Sequence, residues 1–381
     1  MEYIIEKISS TMIIERLISC MVYLFFLLFY FSKIKNSKSH NKIKKYLNYY
    51  LVILTIMGFL FIPDPSKDLY RWLTLSEGWK NLPIKDFITD VAFASSTPIA
   101  YIYIYLARIT NINGILPAFC SFIFHYNIFS IIKKTSEKYH YSGKAIAISL
   151  LFFMCMGRLL EAISGVRSMV AVSILANCFV TELIKGRFLV RTIILEIIAC
   201  MIHPLAIAVY AVRLLFVSIQ KDSRPLVRVA TIITTIILII AFIKFGPSYL
   251  TATVDKADSY LSFKHYTYIW EYMIAAAMWV FCFKIISSVR KKISEGKDYF
   301  LRNLLTLSSL FLFATLLCVI QYSMFHRLVS FTCMIILPLV PYCYDRINSK
   351  FSKNMALFLW AIMAIVILRG DLCGYMMFKI S

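Results

Sequence analysis

Roughly a dozen apolar runs, each near the ~20 residues that cross about 30 Å of hydrocarbon, fill this chain almost end to end with short loops between them. That pattern fixes the class of fold. In lipid a backbone N–H or C=O has no water to turn to, so a lone apolar run must satisfy its own groups as an α-helix. The runs lie at residues 17–31, 46–62, 91–107, 115–132, 145–163, 168–184, 188–202, 205–219, 229–245, 269–288, 301–320, 328–342 and 355–368. Composition agrees: 60% of the residues are hydrophobic and 16% charged, whereas soluble chains sit near ~45–50% apolar. The expectation is an all-α polytopic membrane protein of about 11–12 transmembrane helices. It reads as one domain over residues 1–381, with no room for a soluble module.

Charge sets the sidedness. The chain carries 41 Lys and Arg against 20 Asp and Glu, a net charge of +21. Such a surplus raises the question of nucleic acid, but the cations are not gathered on a soluble module. They sit in blocks at run ends, at residues 33–45, 133–144, 185–187, 221–228, 290–297 and 346–353. That is the positive-inside pattern of cytoplasmic loops, and it favours membrane lipid over nucleic acid as the surrounding partner.

With those loops inside, the N-terminus falls outside, and residues 63–90 and 246–268 become outer loops. The first carries Asp64, Asp68, Tyr70, Arg71, Trp72, Glu77 and Trp79, and is large enough to fold over the membrane face. The bookkeeping breaks once. Crossings at 91–107 and 115–132 would return the chain to the outside, yet the loop at 133–144 is basic. Ser95-Ser96-Thr97-Pro98 interrupts the first of these runs, which points to a re-entrant or broken element near 91–107. The run at 17–31 ends in bulky residues and a Lys-rich loop, without a small-residue cleavage site, so it reads as a span and not a signal peptide.

The stretch 188–219 would be about 48 Å long as one helix, too long for a single crossing. Basic loops flank both ends, so the number of crossings must be even. A hairpin turning at His203-Pro204 satisfies both constraints. Of the ten cysteines, Cys20, Cys120, Cys155, Cys178, Cys200, Cys282, Cys318 and Cys333 lie inside apolar runs with no close Cys-x-x-Cys pair. There they act as small hydrophobes; neither a disulfide framework nor a metal centre is expected.

The chemistry-bearing residues are those that break the charge rule. This topology puts Asp64, Asp68, Arg71, Arg158, Arg167, His203, His326 and Arg327 on the outer side, where arginine is the exception. Charges near a bilayer centre cost about 2.5–3.5 kcal/mol each, so a membrane protein that keeps several usually uses them. Arg167 opens a helix, whose free N–H groups and dipole already favour an anion. Its guanidinium can grip phosphate through two parallel hydrogen bonds, and Gly165 allows close backbone approach.

Each residue also has a plainer role open to it. Arg158 and Glu161 form an i,i+3 ion pair on this view, and Arg327 and His326 snorkel at the interface. His203 only caps the hairpin, and Asp64 and Asp68 are loop acids without a specific metal motif. Glu196 lies on the same helix face as His203 and partners either it or Arg191.

Three stretches carry a family resemblance. Ser164-Gly165-Val166-Arg167-Ser168-Met169-Val170-Ala171, the Lys185-Gly186-Arg187 turn, and residues 199–206 with His203 resemble the core of the EpsG family of polysaccharide polymerases. Asp68-Leu69-Tyr70-Arg71 resembles the family's early acidic-aromatic motif. Arg327-Leu328-Val329-Ser330-Phe331 resembles its late Arg motif before a span containing Pro338. Ser168 stands where the family commonly has Gln.

The resemblance implies a Wzy-type O-antigen or surface-polysaccharide polymerase, a membrane glycosyltransferase of the GT-C kind. Such an enzyme joins oligosaccharide repeat units carried on undecaprenyl pyrophosphate at the periplasmic face of the bacterial inner membrane. It implies no cofactor and no metal, with a chain-length regulator as a protein partner. On that reading Arg158, Arg167 and Arg327 bind the pyrophosphate. His203 or Asp68 handles the acceptor proton, with Asp64, Arg71 and His326 as accessories. Two other classes remain open at this point: a flippase for lipid-linked oligosaccharide, against which no paired-repeat pattern is visible, and a membrane acyltransferase using His203 or His326.

Overall fold

The computed structural model describes residues 2–64, 68–219, 267–296, 298–319, 322–347, 349–367 and 377–378. The run at 229–245, the basic block at 221–228 and the outer loop 246–268, apart from its last two residues, lie outside that set. The described residues are helical almost throughout, the all-α fold that the apolar runs require.

The helices are α1 (Glu2–Lys35), α2 (His40–Leu60), α3 (Asp68–Glu77), α4 (Ile84–Asp86), α5 (Pro98–Arg108), α6 (Ile115–Tyr139), α7 (Gly143–Met154), α8 (Leu159–Ser164) and α9 (Ser168–Lys185). Then follow α10 (Val190–Ile202), α11 (Pro204–Ile219), α12 (Thr267–Glu295), α13 (Tyr299–Leu317), α14 (Tyr322–Ile336), α15 (Leu339–Arg346) and α16 (Ser349–Ile365). A π-helical turn, Phe87–Ala92, continues α4.

Local chemistry sets the ends. Ser142 caps α7 by accepting from the Ala145 N–H, and Asp298 caps α13 by accepting from the Leu301 N–H. Pro98 starts α5, where its missing N–H costs nothing. Gly186, at φ 64°, ends α9 in the left-handed conformation that glycine adopts without strain.

Among the described residues five helices are long and apolar enough to cross a membrane alone: residues 15–35 of α1, then α6, α9, residues 271–295 of α12, and α13. The pair α14 and α15, bent by 56°, passes the same test of length and apolarity only when taken together, as a broken span or a re-entrant loop. Pro338 sits at that bend, where its ring removes a backbone donor. Other runs give shorter helices. The run at 145–163 breaks between α7 and α8, and the run at 91–107 contributes only the eleven residues of α5. Apolar composition marks where lipid or core is faced; it does not say whether one helix makes the whole crossing.

The short α5 resolves the charge bookkeeping. At about 1.5 Å per residue it spans about half a bilayer, so α6 alone carries the chain from the α5 end to the basic loop at 133–144. All the basic blocks that are described then gather at one end of the bundle. There Lys44 pairs with Glu137 at 2.5 Å, and His40 meets Ser136 at 3.0 Å. Tyr139 donates to Asp298 at 2.9 Å, and Ser142 donates to Asp345. The Lys292 ammonium reaches the Arg346 carbonyl.

The interior of the described residues is largely apolar, crossed by polar seams. Between α6 and α9, Asn177 donates to Asn127 at 2.9 Å, and Lys134 donates to Asn177 at 2.9 Å and to Thr181 at 2.7 Å. Such bonds hold helices together where lipid offers no hydrophobic drive.

The hairpin at His203 is present. Glu182 of α9 accepts from Thr192 of α10 at 2.6 Å and from Arg213 of α11 at 2.7 Å. On a straight helix those two donors would lie about 30 Å apart, so α10 and α11 fold back on each other. Glu196 stands beside Glu182 and Arg213 rather than pairing with Arg191 or His203.

Candidate functional site

The end of the bundle opposite the basic loops carries the residues that broke the charge rule. It is covered by a cap built from α3, α4, the π turn and α5. The cap is stitched by rings: Trp72 against Tyr101 at 5.5 Å, Trp79 stacked on Tyr101 at 5.2 Å, and Phe87 stacked on Tyr105 at 4.0 Å. The Tyr105 hydroxyl donates to the Leu82 carbonyl at 2.7 Å, and Arg108 pairs with Glu77. The aromatic loop expected at 63–90 therefore folds over this end as short helices. Asp64, at the start of this loop, faces Arg16 of α1 at 3.6 Å.

Arg167 holds the junction between cap and bundle. It precedes the first turn of α9, donates from Nη1 to the Thr97 hydroxyl at 3.2 Å, and lies 4.3 Å over the Trp72 ring. An arginine stacked this way keeps a planar, oriented guanidinium. Its neighbour Val166 is pinned too, its carbonyl accepting from Tyr103 at 2.7 Å. Gly165 makes the turn possible: a Cβ there would lie 2.9 Å from the Glu161 carbonyl oxygen. Asp68 and Arg71 pair with each other at 2.8 Å along α3, both with well-exposed side chains.

Nine residues before Arg167, on the other side of α8, lies Arg158. Its side chain is buried, donating to the Val366 carbonyl and to Glu161, each at 3.2 Å. The expected Arg158–Glu161 pair thus forms, but at the wall of a narrow crevice lined also by Cys155, Met156, Glu271, Ile274, His326 and Val366. Four titratable side chains from α8 and its N-cap, α12 and α14 converge there.

The sequence marks His326 as an accessory group or as the histidine of an acyltransferase, and does not mark Glu271. Glu271 is a lone acid in the opening turns of α12, with no motif around it; only a count of acids at this end of the chain's runs would have flagged it. Arg327, beside His326 on α14, is half-buried and makes no hydrogen bond or ion pair among the described residues.

His203 ends α10, and its Nδ1 accepts from the Leu205 N–H at 3.1 Å. It therefore caps α11, and a neutral ring in this arrangement carries its proton on Nε2, as a donor. Because α10 runs back along α9 for only thirteen residues against eighteen, His203 stops about 7 Å short of the level of Arg167.

Chemically, this end offers Arg167 held by the Thr97 hydroxyl and the Trp72 ring, Arg158 held by the Val366 carbonyl and Glu161, an imidazole donor and carboxylates. That set suits an anionic leaving group and a hydroxyl acceptor. Among the described residues no group of three or more His, Cys, Asp or Glu side chains is arranged to hold a metal ion. A family model described as the EpsG family matches residues 85–378, which include every candidate except Asp64, Asp68 and Arg71. No curated protein and no solved structure matches the chain.

Proposed function

This chain belongs to the EpsG family of polysaccharide polymerase-like membrane proteins, and we propose that it is a Wzy-type polymerase of O-antigen or a related surface polysaccharide. It joins oligosaccharide repeat units carried on undecaprenyl pyrophosphate, acting as a membrane glycosyltransferase of the GT-C kind. The observation that carries this reading is the pair Arg158 and Arg167, fixed at either end of α8 on the side opposite the basic loops. By the positive-inside rule the basic end is cytoplasmic, so the arginine end faces the periplasm across the bacterial inner membrane.

In the reaction the growing chain leaves its lipid pyrophosphate and is transferred to a sugar hydroxyl of a second lipid-linked unit. The pyrophosphate takes up negative charge as its bond to the sugar breaks. Arg158, Arg167 and Arg327 stabilise that charge, and because Arg158 and Arg167 are already oriented, they need little reorganisation as it develops. Guanidinium groups can carry it without a cofactor. His203, with Nε2 as a donor, orients the acceptor. Asp64, Asp68 and Arg71 line the rim of the cap, and Asp68 ranks below the groups inside it as a proton acceptor. A chain-length regulator is the protein partner expected to set how many units are joined.

A deletion strain complemented with variants tests this on one lipopolysaccharide gel. Loss of the gene should leave single-repeat lipopolysaccharide, and Arg167→Ala should give the same band with the protein still in the membrane. Absence of any repeat would identify a flippase, and full-length but unmodified chains a decorating acyltransferase. Normal long chains from Arg167→Ala would remove Arg167 from the mechanism.

A further inference from the structure

The turn Lys185-Gly186-Arg187 has no part in the proposed reaction. It lies at the basic end of the bundle, between α9 and α10. Helix packing brings further cations beside it. Lys134 of α6 donates to Asn177 and Thr181 of α9 at 2.9 and 2.7 Å. Lys185 follows Thr181 by four residues, one turn further along the same face of α9. Thr192 of α10 donates to Glu182 of α9 at 2.6 Å, which sets Arg191, in the first turn of α10, beside the end of α9. Lys134 is within electrostatic reach of both Lys185 and Arg191.

Like charges gathered this way repel one another, and an anion among them turns that repulsion into attraction. The acids described near them are engaged elsewhere. Glu182 turns inward to Thr192 and Arg213, and Glu137, which also reaches Lys134, pairs with Lys44 at 2.5 Å. Lys185 and Arg191 are exposed and make no ion pair among the described residues.

An apolar stripe begins next to these cations. Val190, Ile193, Ile194 and Ile197 follow the i, i+3, i+4, i+7 spacing of one helix face, and all four are exposed. The stripe leads from the basic end towards the middle of the bilayer over about 10 Å, as an acyl chain leads away from its headgroup. A free anion would match only the cations, and an apolar partner helix only the stripe. We propose that α6, α9 and the start of α10 form a binding site for one anionic phospholipid. Its phosphate sits among Lys134, Lys185 and Arg191, and an acyl chain lies along α10. The site is separate from the polymerisation and does not depend on it.

The test uses the full-length protein purified in detergent and titrated with dioleoylphosphatidylglycerol while its melting temperature is followed, since a ligand of the folded state raises it. Dioleoylphosphatidylcholine has the same chains without net charge, and inorganic phosphate has charge without chains. Phosphatidylglycerol should stabilise at a lower concentration than either. In Lys185→Gln/Arg191→Gln the concentration giving half the effect should rise by about tenfold or more. Lys38→Gln/Lys42→Gln removes the same charge from exposed positions elsewhere at the basic end and should leave it unchanged. If the first double variant does not accumulate, Lys185→Gln and Arg191→Gln serve singly, each with a rise of about threefold or more. Wild-type response in the Lys185 and Arg191 variants, or an equal loss in Lys38→Gln/Lys42→Gln, would overturn the site. So would equal stabilisation of the wild-type protein by phosphatidylcholine or by inorganic phosphate, or none by phosphatidylglycerol.

Discussion

Two charged clusters in this molecule contain the same residue types and do opposite things. Arg213, Glu182 and Thr192 meet between α9, α10 and α11, with side chains of Arg213 and Glu182 only 5% and 2% exposed. Phe179, Phe188 and Phe216 surround the guanidinium at 5.0–5.5 Å. The Nε and Nη1 of Arg213 nevertheless make no hydrogen bond among the described residues. Arg158 and Glu161 are also an arginine–glutamate pair, but it is longer, at 3.2 Å, Glu161 is 23% exposed, and it borders a narrow crevice shared with Glu271 and His326. A buried pair packed among rings holds helices together; under the proposed function, a pair at the wall of a crevice keeps a charge aimed at the substrate. Burial of charge alone does not separate these cases, whereas what lies beside the charge does.

The sharpest way to break the contrast is Arg213→Ala. It strands Glu182 in an apolar setting, and removing one partner of a buried pair costs about 3–5 kcal/mol. The variant should melt far lower in detergent or fail to accumulate. Replacing Arg213 with Met and Glu182 with Leu together should recover most of the loss, since a buried pair exchanged for packed apolar groups is often near neutral. Recovery of neither stability nor yield would mean that the pair does more than join helices.

Arg158→Gln should separate stability from activity. It forfeits donors to Val366 and Glu161, about 1–3 kcal/mol for a buried acceptor left unpaired, yet it should abolish long chains on the gel. Smallest is Asp68→Asn. Asp68 and Arg71 are 45% and 58% exposed, and pairs of that kind contribute about 0–1 kcal/mol. Melting temperature and chain length should both stay at wild-type values; loss of long chains would return Asp68 to the proton-transfer step.

The sequence made the helical class readable because lipid leaves a lone apolar segment no other way to satisfy its backbone. The break at Ser95–Pro98 and the turn at His203-Pro204 were readable for a similar reason: proline and clustered polar groups stop helices. Arg158 and Arg167 stood out because arginine is exceptional on that side of the charge pattern. Glu271 did not, since one acid at the start of an apolar run has no spacing that marks it. The Arg213–Glu182 pair was hidden because its members lie 31 positions apart in separate runs, and only the folded hairpin joins them. The breaks at Pro338 and between α7 and α8 were not readable from composition, because a broken helix has the same composition as an unbroken one.

The hairpin of α10 and α11 can also be seen as a gauge. Glu182 grips Thr192 and Arg213, eleven and ten positions either side of His203, so both arms are measured from one fixed mark. A slip of one residue in either arm would raise the turn by about 1.5 Å and swing its side chains by about 100°. The orientation of the imidazole is thus set about 15 Å away, between the helices rather than at the bundle end. Variants of Glu182 chosen only for stability would for that reason also detune the position of His203.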